Sequence, residues 1–461
     1  MQREQTNLEQ EIPVSGELET NDRYEKSGAL PMHQQEERQI ATGSMLEAIL
    51  SRENMFKALK KVQANKGSAG IDNMTTEDLP DYLRSNWQGI RENIREGKYK
   101  PAPVRRVEIP KDDGSKRMLG IPTVLDRLIQ QAISQKLVEV YDHEFSDYSY
   151  GFRPGLSAQQ AVLQARAYIE TGNESIVDLD IEKFFDRVNH DYLMSRTAMK
   201  ITDKKLLLLI RRYLQAGIME EGIVRTREEG TPQGSPLSPI LSNILLDELD
   251  KELEKRGHKF VRYADDCTIY ARTERAAERI KESIGGFLEK KLKLKLNKEK
   301  SGVRKPDEVK VLGYGFLKNK EGKWKIRISK KAKDKLKKKI KAIANRSSPV
   351  SIADKIRKIN IIIRGWGNYF KLTELPSEFE DIDGWIRTRL RICIWKNWKR
   401  IRTRIRELKS LGVKESNALR WGKSRKGCAR IANSPILKLS LTNKYFQNLG
   451  FKGMALLQKG N

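Results

Sequence analysis

The stretch Phe260-Val261-Arg262-Tyr263-Ala264-Asp265-Asp266-Cys267-Thr268-Ile269-Tyr270 places two adjacent acids between two runs of β-branched and aromatic residues. Such runs on either side of a short polar connection predict a β-hairpin. Adjacent carboxylates at the tip of a hairpin repel each other, so the pair favours a site in which a cation lies between them. The hairpin is therefore the first candidate for a metal-dependent site.

A second acidic segment lies upstream, where Asp178 and Asp180 interrupt the apolar run Ser175–Ile181. Residues two apart on a strand face the same side, so spacing alone leaves open which of the two is the ligand. Three carboxylates on adjacent strands form a hard-oxygen site suited to Mg²⁺. Two such ions about 4 Å apart would activate a 3′-hydroxyl and stabilise a leaving pyrophosphate. The pattern predicts nucleotidyl transfer by a polymerase.

Other motifs flank these acids in a fixed order along the chain. They are Gly70-Ile71-Asp72, Leu119-Gly120-Ile121-Pro122, Ser149-Tyr150-Gly151-Phe152-Arg153-Pro154, Asp180-Ile181-Glu182-Lys183-Phe184-Phe185-Asp186, Gly230-Thr231-Pro232-Gln233-Gly234-Ser235-Pro236-Leu237-Ser238-Pro239, Leu296-Asn297-Lys298-Glu299-Lys300-Ser301 and Leu312-Gly313-Tyr314-Gly315-Phe316. In this order the motifs closely resemble those of the reverse transcriptases encoded by bacterial group II introns, the intron maturases. The resemblance runs from about residue 45 to the C-terminus.

The resemblance implies an α+β fold: a right-hand polymerase, with fingers and a palm built on an antiparallel sheet, followed by an α-helical thumb. It also implies an order of domains along the chain. We expect a polar leader over 1–44, an N-terminal extension and fingers over 45–170, a palm with the catalytic acids over 171–317, a helical thumb or maturase domain over 318–410, and a basic segment that is a candidate for DNA binding over 411–461.

The catalytic residues follow from the same resemblance. The family's first acid precedes an aromatic residue by five positions, which selects Asp180 and makes Phe185 that aromatic. Asp265 is then the second shared metal ligand, and Asp266 is a weaker ligand or an electrostatic partner. The ring of Phe185 would occupy the space of a ribose 2′-hydroxyl, which selects deoxynucleotides. Asp180, Asp265 and Asp266 are thus expected to hold two Mg²⁺ ions.

Nucleotide and primer contacts are implied in the surrounding motifs. Strand, Asp-Gly turn and strand over 104–121 predict a hairpin with basic residues near its tip. The resemblance implies that Lys111 and Arg117 of this hairpin contact phosphate. It implies further that Gln233 contacts the nucleotide or template and that Lys300 acts as a general acid toward pyrophosphate. Tyr263 is expected to pack against the primer end, and Ala264 to leave room for the backbone.

The formal charge of +29 predicts a polyanionic partner, because nucleic acid offsets the self-repulsion of so basic a chain. Residues 291 to 346 include 22 Lys and Arg but only 5 Asp and Glu, which favours a thumb that binds a nucleic-acid backbone. The expected partners are group II intron RNA, target DNA, an RNA template and a DNA primer, in an unspecified oligomeric state. The expected RNA contacts are Lys337, Arg364, Trp366, Arg387 and Arg391.

Two absences in the sequence bound its function further. No apolar run approaches the roughly 20 residues that span a bilayer. Met1–Gln5 lacks the apolar core of a signal peptide. We therefore expect a cytoplasmic protein that joins the nucleoid when it acts on DNA. Cys267, Cys393 and Cys428 are scattered and predict neither a disulfide framework nor a four-thiolate zinc site. Nothing after residue 410 has the spacing of the family's His- and Cys-bearing endonuclease, so we expect no such domain.

Three alternative functions remain open from the sequence. A splicing-only maturase with a decayed polymerase is disfavoured by the intact Asp180, Asp265 and Asp266. A reverse transcriptase of retrons, diversity generation or phage defence would lack the long basic segment after the palm. RNA-dependent RNA synthesis would favour a smaller or polar residue in place of Phe185.

Local patterns predict two further elements. Apolar residues from Ile49 to Val62 have helical spacing, with Ser51 as N-cap and Gly67 as a stop. Leu292, Leu294 and Leu296 alternate with lysines, which predicts a half-buried strand with one basic face.

Overall fold

The structure is a computed structural model, and it describes residues 45–110, 114, 116–220, 223–225, 229–231 and 234–455. The predicted leader over 1–44, the phosphate contact Lys111 and the nucleotide contact Gln233 lie outside these ranges. Of Arg117, the structure describes the strand that contains it but not its side chain.

The N-terminal part of the described chain packs helices beside a predicted hairpin. Its helices are α1 (Met45–Ile49), α2 (Arg52–Asn65), α3 (Leu79–Arg95), α4 (Val124–Tyr141) and α5 (Ala158–Glu170). The hairpin is confirmed: β1 (Val104–Pro110) and β2 (Lys116–Ile121) pair antiparallel. Ser51 is confirmed as the N-cap of α2, since its hydroxyl accepts a hydrogen bond from the Asn54 amide at 3.4 Å. Helix α2 ends at Asn65, and its C-cap residue Lys66 directly precedes the predicted stop at Gly67.

The central part contains two sheets and the helices that cover them. Its elements are β3 (Ser175–Leu179), α6 (Phe184–Arg187), α7 (His190–Ala198), α8 (Lys204–Gln215), β4 (Ile218–Glu220), β5 (Ile223–Arg225), α9 (Ser238–Lys255), β6 (Lys259–Tyr263), β7 (Asp266–Ala271), α10 (Glu274–Phe287) and β8 (Gly302–Arg304). The sheet that holds the acidic strands has the order β6-β7-β3-β8 and is antiparallel throughout. The other sheet has the order β2-β1-β4-β5 and includes one parallel pair, β1 with β4.

The C-terminal part is a hairpin followed by helices, as expected for a helical thumb. Its elements are β9 (Tyr314–Lys318), β10 (Trp324–Ile328), α11 (Lys330–Ile343), α12 (Ile352–Tyr369), α13 (Pro376–Asn397), α14 (Ile401–Ser410), α15 (Glu415–Gly422), α16 (Cys428–Ala432), α17 (Pro435–Ser440) and α18 (Asn443–Asn448). Among the described helices, none is long and apolar enough to cross a membrane.

The hairpin of β9 and β10 is bound to the helices through the carboxylates of Glu378, which is buried, and Glu374, which is exposed. Glu378 at the start of α13 accepts hydrogen bonds from the Ile328 amide at 2.8 Å and from Lys333 at 3.0 Å. Glu374 accepts from the Ile326 amide at 2.7 Å and from Arg166 of α5 at 3.0 Å. These contacts join α5, the hairpin and the start of α13 through strand β10.

The strand predicted from Leu292, Leu294 and Leu296 is wrong. Residues Leu288–Leu292 form a turn of π-helix, and Lys293 has a φ of 59° in the left-handed region. Leu292 and Leu294 are fully buried while Lys291, Lys293 and Lys295 are exposed, so burial alternates as predicted although the backbone is not a strand. Only Leu296 makes a bridge, to Ile181, beside the first acidic strand.

Candidate active site

Strand register brings the two acidic segments together. Leu179 at the end of β3 pairs with Cys267 in β7, so Asp180 and Asp266 adjoin this last pair at the same end of the sheet. The charges of Asp178, Asp180 and Asp265 all act on Asp266, as expected for carboxylates that lie close together. Asp178, two residues earlier, pairs with Thr268 instead. The fold therefore gathers the four carboxylates of Asp178, Asp180, Asp265 and Asp266 at one end of the sheet.

The pKa of Asp266 reports this crowding. Partial burial, together with repulsion from Asp265, Asp178 and Asp180, raises its pKa to about 6, although solvent still reaches the side chain. Burial also raises the pKa of Asp178, and the Arg304 guanidinium, whose Nε lies 3.3 Å from the Asp178 carboxylate, opposes that shift. The repulsion at Asp266 is the kind that a bound cation would relieve.

The carboxylates fit a divalent cation in kind, since all are hard oxygen donors. Their side chains do not surround one common point. In the described ranges, no group of three or more His, Cys, Asp and Glu side chains is spaced to hold a metal ion. Asp180 faces Lys300, whose Nζ lies 3.9 Å from its carboxylate, and Asp178 faces Arg304. These cations offset part of the negative charge.

The backbone of Asp180 is anchored by the loop that carries Lys300. The Asp180 amide donates to the Ser301 hydroxyl at 2.9 Å, and the Asp180 carbonyl accepts from the Asn297 amide at 2.8 Å. Arg304 donates to the Lys300 carbonyl at 2.9 Å while it contacts Asp178. The loop is therefore bonded at both Asp178 and Asp180, and these contacts keep Lys300 near Asp180.

The turn that carries Asp265 has an unusual backbone. Tyr263 pairs with Asp266, so Ala264 and Asp265 form the connection, and Ala264 has a φ of 58°. A non-glycine residue in this left-handed region costs roughly 1–2 kcal/mol. The surrounding structure must therefore hold Ala264 in place.

A buried network that the sequence analysis missed stabilises this turn. Arg262, fully buried, forms an ion pair with the equally buried Asp250 of α9, with Nε 2.7 Å from Oδ1. Its Nη1 donates to the Ala264 carbonyl at 2.9 Å and to the Asn243 side chain at 3.1 Å. The Asn243 amide group in turn donates to the Gly151 carbonyl at 2.9 Å. An arginine beside an acidic turn was visible in the sequence, but its partners on α9 were not.

Gly151 packs directly against the turn. A Cβ added to Gly151 would lie 2.2 Å from the Ala264 amide nitrogen, so this contact of two backbones requires glycine. The Tyr150 amide donates to the Arg262 carbonyl at 2.8 Å, and the Arg262 amide donates to the Tyr148 carbonyl at 2.9 Å. The motif 149–154 thus forms the support behind the acidic turn.

Phe184 and Phe185 lie in different environments. Phe184 is 2% exposed and belongs to the core, whereas Phe185 is half-buried beside it with a ring distance of 5.2 Å. The Thr231 amide donates to the Phe185 carbonyl at 2.6 Å. A Cβ on Gly230 would lie 2.6 Å from the same carbonyl, so the start of the 230–239 block packs on the Phe185 backbone.

The remaining predicted site residues lie around this centre or away from it. Tyr263 is half-buried, and its ring is 6.4 Å from that of Phe152. In the helical region, Arg364 is exposed, Lys337 lies 5.9 Å above the Trp385 ring, and Arg387 is partly buried. Trp366 packs on Phe370 at 4.5 Å between ring centres.

Arg391 is placed differently from the expected RNA contact. It is 6% exposed, and its guanidinium donates to the Leu441 carbonyl at 2.8 and 3.1 Å. Its guanidinium also lies 5.4 Å from the Phe446 ring. Arg391 therefore joins α13 to the C-terminal helices, and its charge is turned inward because it satisfies a buried carbonyl.

Comparisons with known proteins identify the family of the chain. The family "Reverse transcriptase (RNA-dependent DNA polymerase)" matches residues 109–316, and "Group II intron, maturase-specific domain" matches 333–412. Protein YkfC of Escherichia coli is 30% identical over 299 residues, which cover 56% of this chain and 78% of YkfC.

Group II intron-encoded protein LtrA of Lactococcus lactis is 29% identical over 333 residues, with 58% of this chain and 55% of LtrA covered. The chain thus spans only about half the length of LtrA. A solved partial Cas6-RT-Cas1–Cas2 complex is 27% identical with a TM-score of 0.35, covering 53% of this chain and 42% of that one. The ordered motifs, both family matches and YkfC together show that the chain belongs to the group II intron-encoded reverse transcriptases that carry a maturase-specific domain.

Proposed function

We propose that this protein copies RNA into DNA at the carboxylates of Asp180, Asp265 and Asp266, and that it binds a group II intron RNA, assists its splicing and copies it into a DNA target. The observation that supports the site most directly is the register of β3 and β7, which pairs Leu179 with Cys267 and so brings the adjoining Asp180 and Asp266 to the end of the sheet that carries the turn of Asp265. Use of a divalent metal is general in this family, and the finer assignment to two Mg²⁺ ions belongs to the proposal.

Asp180, Asp265 and Asp266 would hold the metal. Two bound Mg²⁺ ions would supply activation of the primer 3′-hydroxyl and stabilisation of the departing pyrophosphate. Ser301 and Asn297 fix the Asp180 backbone, and Arg262 fixes the Ala264 carbonyl, so both ligand-bearing segments are held before substrate arrives. Lys300, beside Asp180, is placed to donate a proton or a hydrogen bond to the pyrophosphate oxygens.

Phe185 would select deoxynucleotides. Its ring is half-buried and its backbone is held by Thr231, so the side chain has little freedom to withdraw from an incoming sugar. A phenyl ring offers no hydrogen bond to a 2′-hydroxyl, and a buried polar group without a partner is costly. The template, primer and dNTP contacts of Lys111, Arg117, Gln233 and Tyr263 are part of the same proposal.

Primer extension tests this function. A DNA primer annealed to an RNA template is incubated with Mg²⁺ and dNTPs, with wild type beside Asp180→Asn, Asp265→Asn and Asp266→Asn. We expect the wild type to extend the primer and the first two variants to lose extension, with a smaller loss in the third. Asp191→Asn is the control, because Asp191 of α7 is an exposed acid that forms an ion pair with Arg211 of α8.

Splicing without polymerisation is the second candidate, favoured by the match of residues 333–412 to the maturase-specific domain. If the wild type binds a group II intron transcript and promotes its splicing but never extends the primer, this second function replaces the first. Extension that survives in Asp265→Asn would place the metal elsewhere.

A further inference from the structure

A basic cavity lies at the end of the palm sheet opposite the acidic turn. In the hairpin of β6 and β7, Tyr263 pairs with Asp266 at the acidic end, and Lys259 pairs with Tyr270 at the other. Four residues of strand separate the two ends, about 13 Å. At the far end, α10 passes beside the hairpin and borders a cavity of about 660 Å³ that is widely open to solvent.

The lining of this cavity carries charge of one sign only. The residues are Asn173, Arg256, Gly257, His258, Lys259, Tyr270, Ala271, Arg272, Ala276, Arg279, Ile280 and Ser283. Five of these are Arg, Lys or His, and none is Asp or Glu.

Helix α10 explains why no acid is present. Ala276, Arg279, Ile280 and Ser283 have the spacing of one helical face, and this face lines the cavity. The acids of the helix, Glu274, Glu278 and Glu282, lie on the rest of its surface. The helix carries three acids and three cations, and of the cations Arg275, Arg279 and Lys281 only Arg279 lines the cavity. The face of α10 toward the cavity therefore adds one positive charge and no negative charge.

The cations of the lining differ in their partners. Arg256 forms an ion pair with Glu252, with its Nε 2.8 Å from the carboxylate, and it also bonds Ser283. Burial, with the charge of Arg256, lowers the pKa of His258, which is then neutral at physiological pH. Neither group adds a free positive charge to the cavity.

Lys259, Arg272 and Arg279 carry the available charge. Lys259 lies 3.5 Å from the Thr171 hydroxyl, and Arg279 lies 3.4 Å from the Arg275 carbonyl. Within the part of the chain that the structure describes, none of the three forms an ion pair with a carboxylate. All three side chains are exposed to solvent around the cavity, so an anion can approach them.

Three converging cations repel one another, and a chain of phosphates removes that repulsion while it releases its own counterions. The cavity is much larger than a single small anion needs, and His258 and Ser283 add neutral polar groups that can contact ribose hydroxyls. The primer and template would occupy the opposite end of the sheet, so a ligand here does not compete with them.

We propose that Lys259, Arg272 and Arg279 form an RNA-binding site for the phosphate backbone of a structured RNA, held on the palm at the end away from the catalytic acids. The identification of this RNA as an intron rests on the proposed function, whereas the RNA-binding site itself does not. The protein could therefore hold one RNA segment at this cavity while another is copied.

The test compares two triple variants of equal charge. The cavity variant is Lys259→Gln, Arg272→Gln and Arg279→Gln. The matched control is Lys255→Gln, Arg275→Gln and Lys290→Gln. These three exposed cations lie on α9, on α10 and in the turn after α10, and they do not line the cavity. Affinity for a labelled group II intron transcript is measured over a series of salt concentrations. Thermal unfolding establishes that both variants are folded.

We expect the cavity variant to bind the transcript on the order of tenfold more weakly and to lower the slope of log affinity against log salt by about 2, as for three lost phosphate contacts. The control should retain most of the wild-type affinity. Equal losses in the two variants would overturn the site. The same selective loss toward a random-sequence DNA duplex would overturn its assignment to RNA.

A small-anion site is a separate outcome. Inorganic pyrophosphate that raises the melting temperature of wild type but not of the cavity variant would assign the cavity to a small ligand and overturn the RNA proposal. Primer extension by the wild type tests the proposed polymerase function. The RNA-binding site is tested separately, by the difference in RNA affinity between the cavity variant and the control variant.

Discussion

The guanidinium of Arg262 and the carbonyl of Ala264 are joined by a hydrogen bond of 2.9 Å inside the turn that presents Asp265. Arg262 is itself fixed by Asp250, and both side chains are fully buried. Removing one partner of a buried ion pair typically costs 3–5 kcal/mol, which makes simple deletion uninformative about catalysis. A conservative change separates the two roles of Arg262.

We expect Arg262→Lys to remain folded but to extend a primer about 10- to 100-fold more slowly. Lysine keeps the charge opposite Asp250, but its single ammonium group does not reproduce the planar fork that also reaches Ala264 and Asn243. Single-turnover extension measures the rate, and thermal unfolding measures stability. Arg84→Lys, at an exposed pair with Asp81, is the control. A rate equal to wild type would exclude a positioning role for Arg262.

We expect Gly151→Ala to lose most primer extension and to destabilise the fold by about 1–3 kcal/mol. The new methyl group would enter the space of the Ala264 backbone, which cannot move without displacing Asp265. Extension and denaturant unfolding are the measurements. Gly89→Ala is the contrasting change, since nothing lies within 4 Å of the added group and α3 should gain about 0.4–1 kcal/mol. Normal activity in Gly151→Ala would show that the turn tolerates a shift.

We expect Phe185→Val to incorporate ribonucleotides more readily, because a shorter side chain leaves room for the 2′-hydroxyl. The ratio of rNTP to dNTP incorporation at single positions is the measurement. Phe184→Val tests the neighbouring ring, which is buried in the core. It should lower the free energy of unfolding by roughly 1–3 kcal/mol and leave the sugar preference unchanged. Equal selectivity in wild type and Phe185→Val would remove Phe185 from sugar recognition.

We expect Ser301→Ala to slow extension while the protein remains folded. The hydroxyl that accepts from the Asp180 amide is lost, at a cost of about 1–3 kcal/mol for an unsatisfied, partly buried donor. Because Asp180 then moves relative to Asp265 and Asp266, a higher Mg²⁺ concentration should be needed for half-maximal rate. A Mg²⁺ titration of the extension rate checks this. Ser195→Ala, which affects only a helix surface, should titrate as wild type does.

The acids and their strands were predictable because hairpins and strand periodicity are local. The two apolar runs around Ala264 and Asp265, and the alternation around Asp178, are encoded within a few residues, and the structure forms β6, β7 and β3 from them. The roles of individual side chains at this site stay predictions, since their contacts with substrate depend on molecules that the chain itself does not contain.

Other features depended on long-range packing and could not be read locally. Alternation of Leu292, Leu294 and Leu296 is compatible with a strand, but a preceding helix and a positive φ at Lys293 allow the first two leucines to enter the core instead. The sequence also gives no sign that Arg391 is buried, because charge is a property of the residue and burial is a property of its surroundings. The buried pair of Arg262 and Asp250 was missed for the same reason.

The anchoring of Asp180 has a consequence for the order of synthesis. Its amide bonds the hydroxyl of Ser301, which is translated 121 residues later. Contacts so distant in sequence form late, because a long loop must close before they contribute. A ribosome-bound nascent chain that stops short of Ser301 has both acidic strands but an unanchored Asp180. We therefore expect catalytic competence to arise abruptly as this segment emerges from the ribosome, and not gradually with chain length.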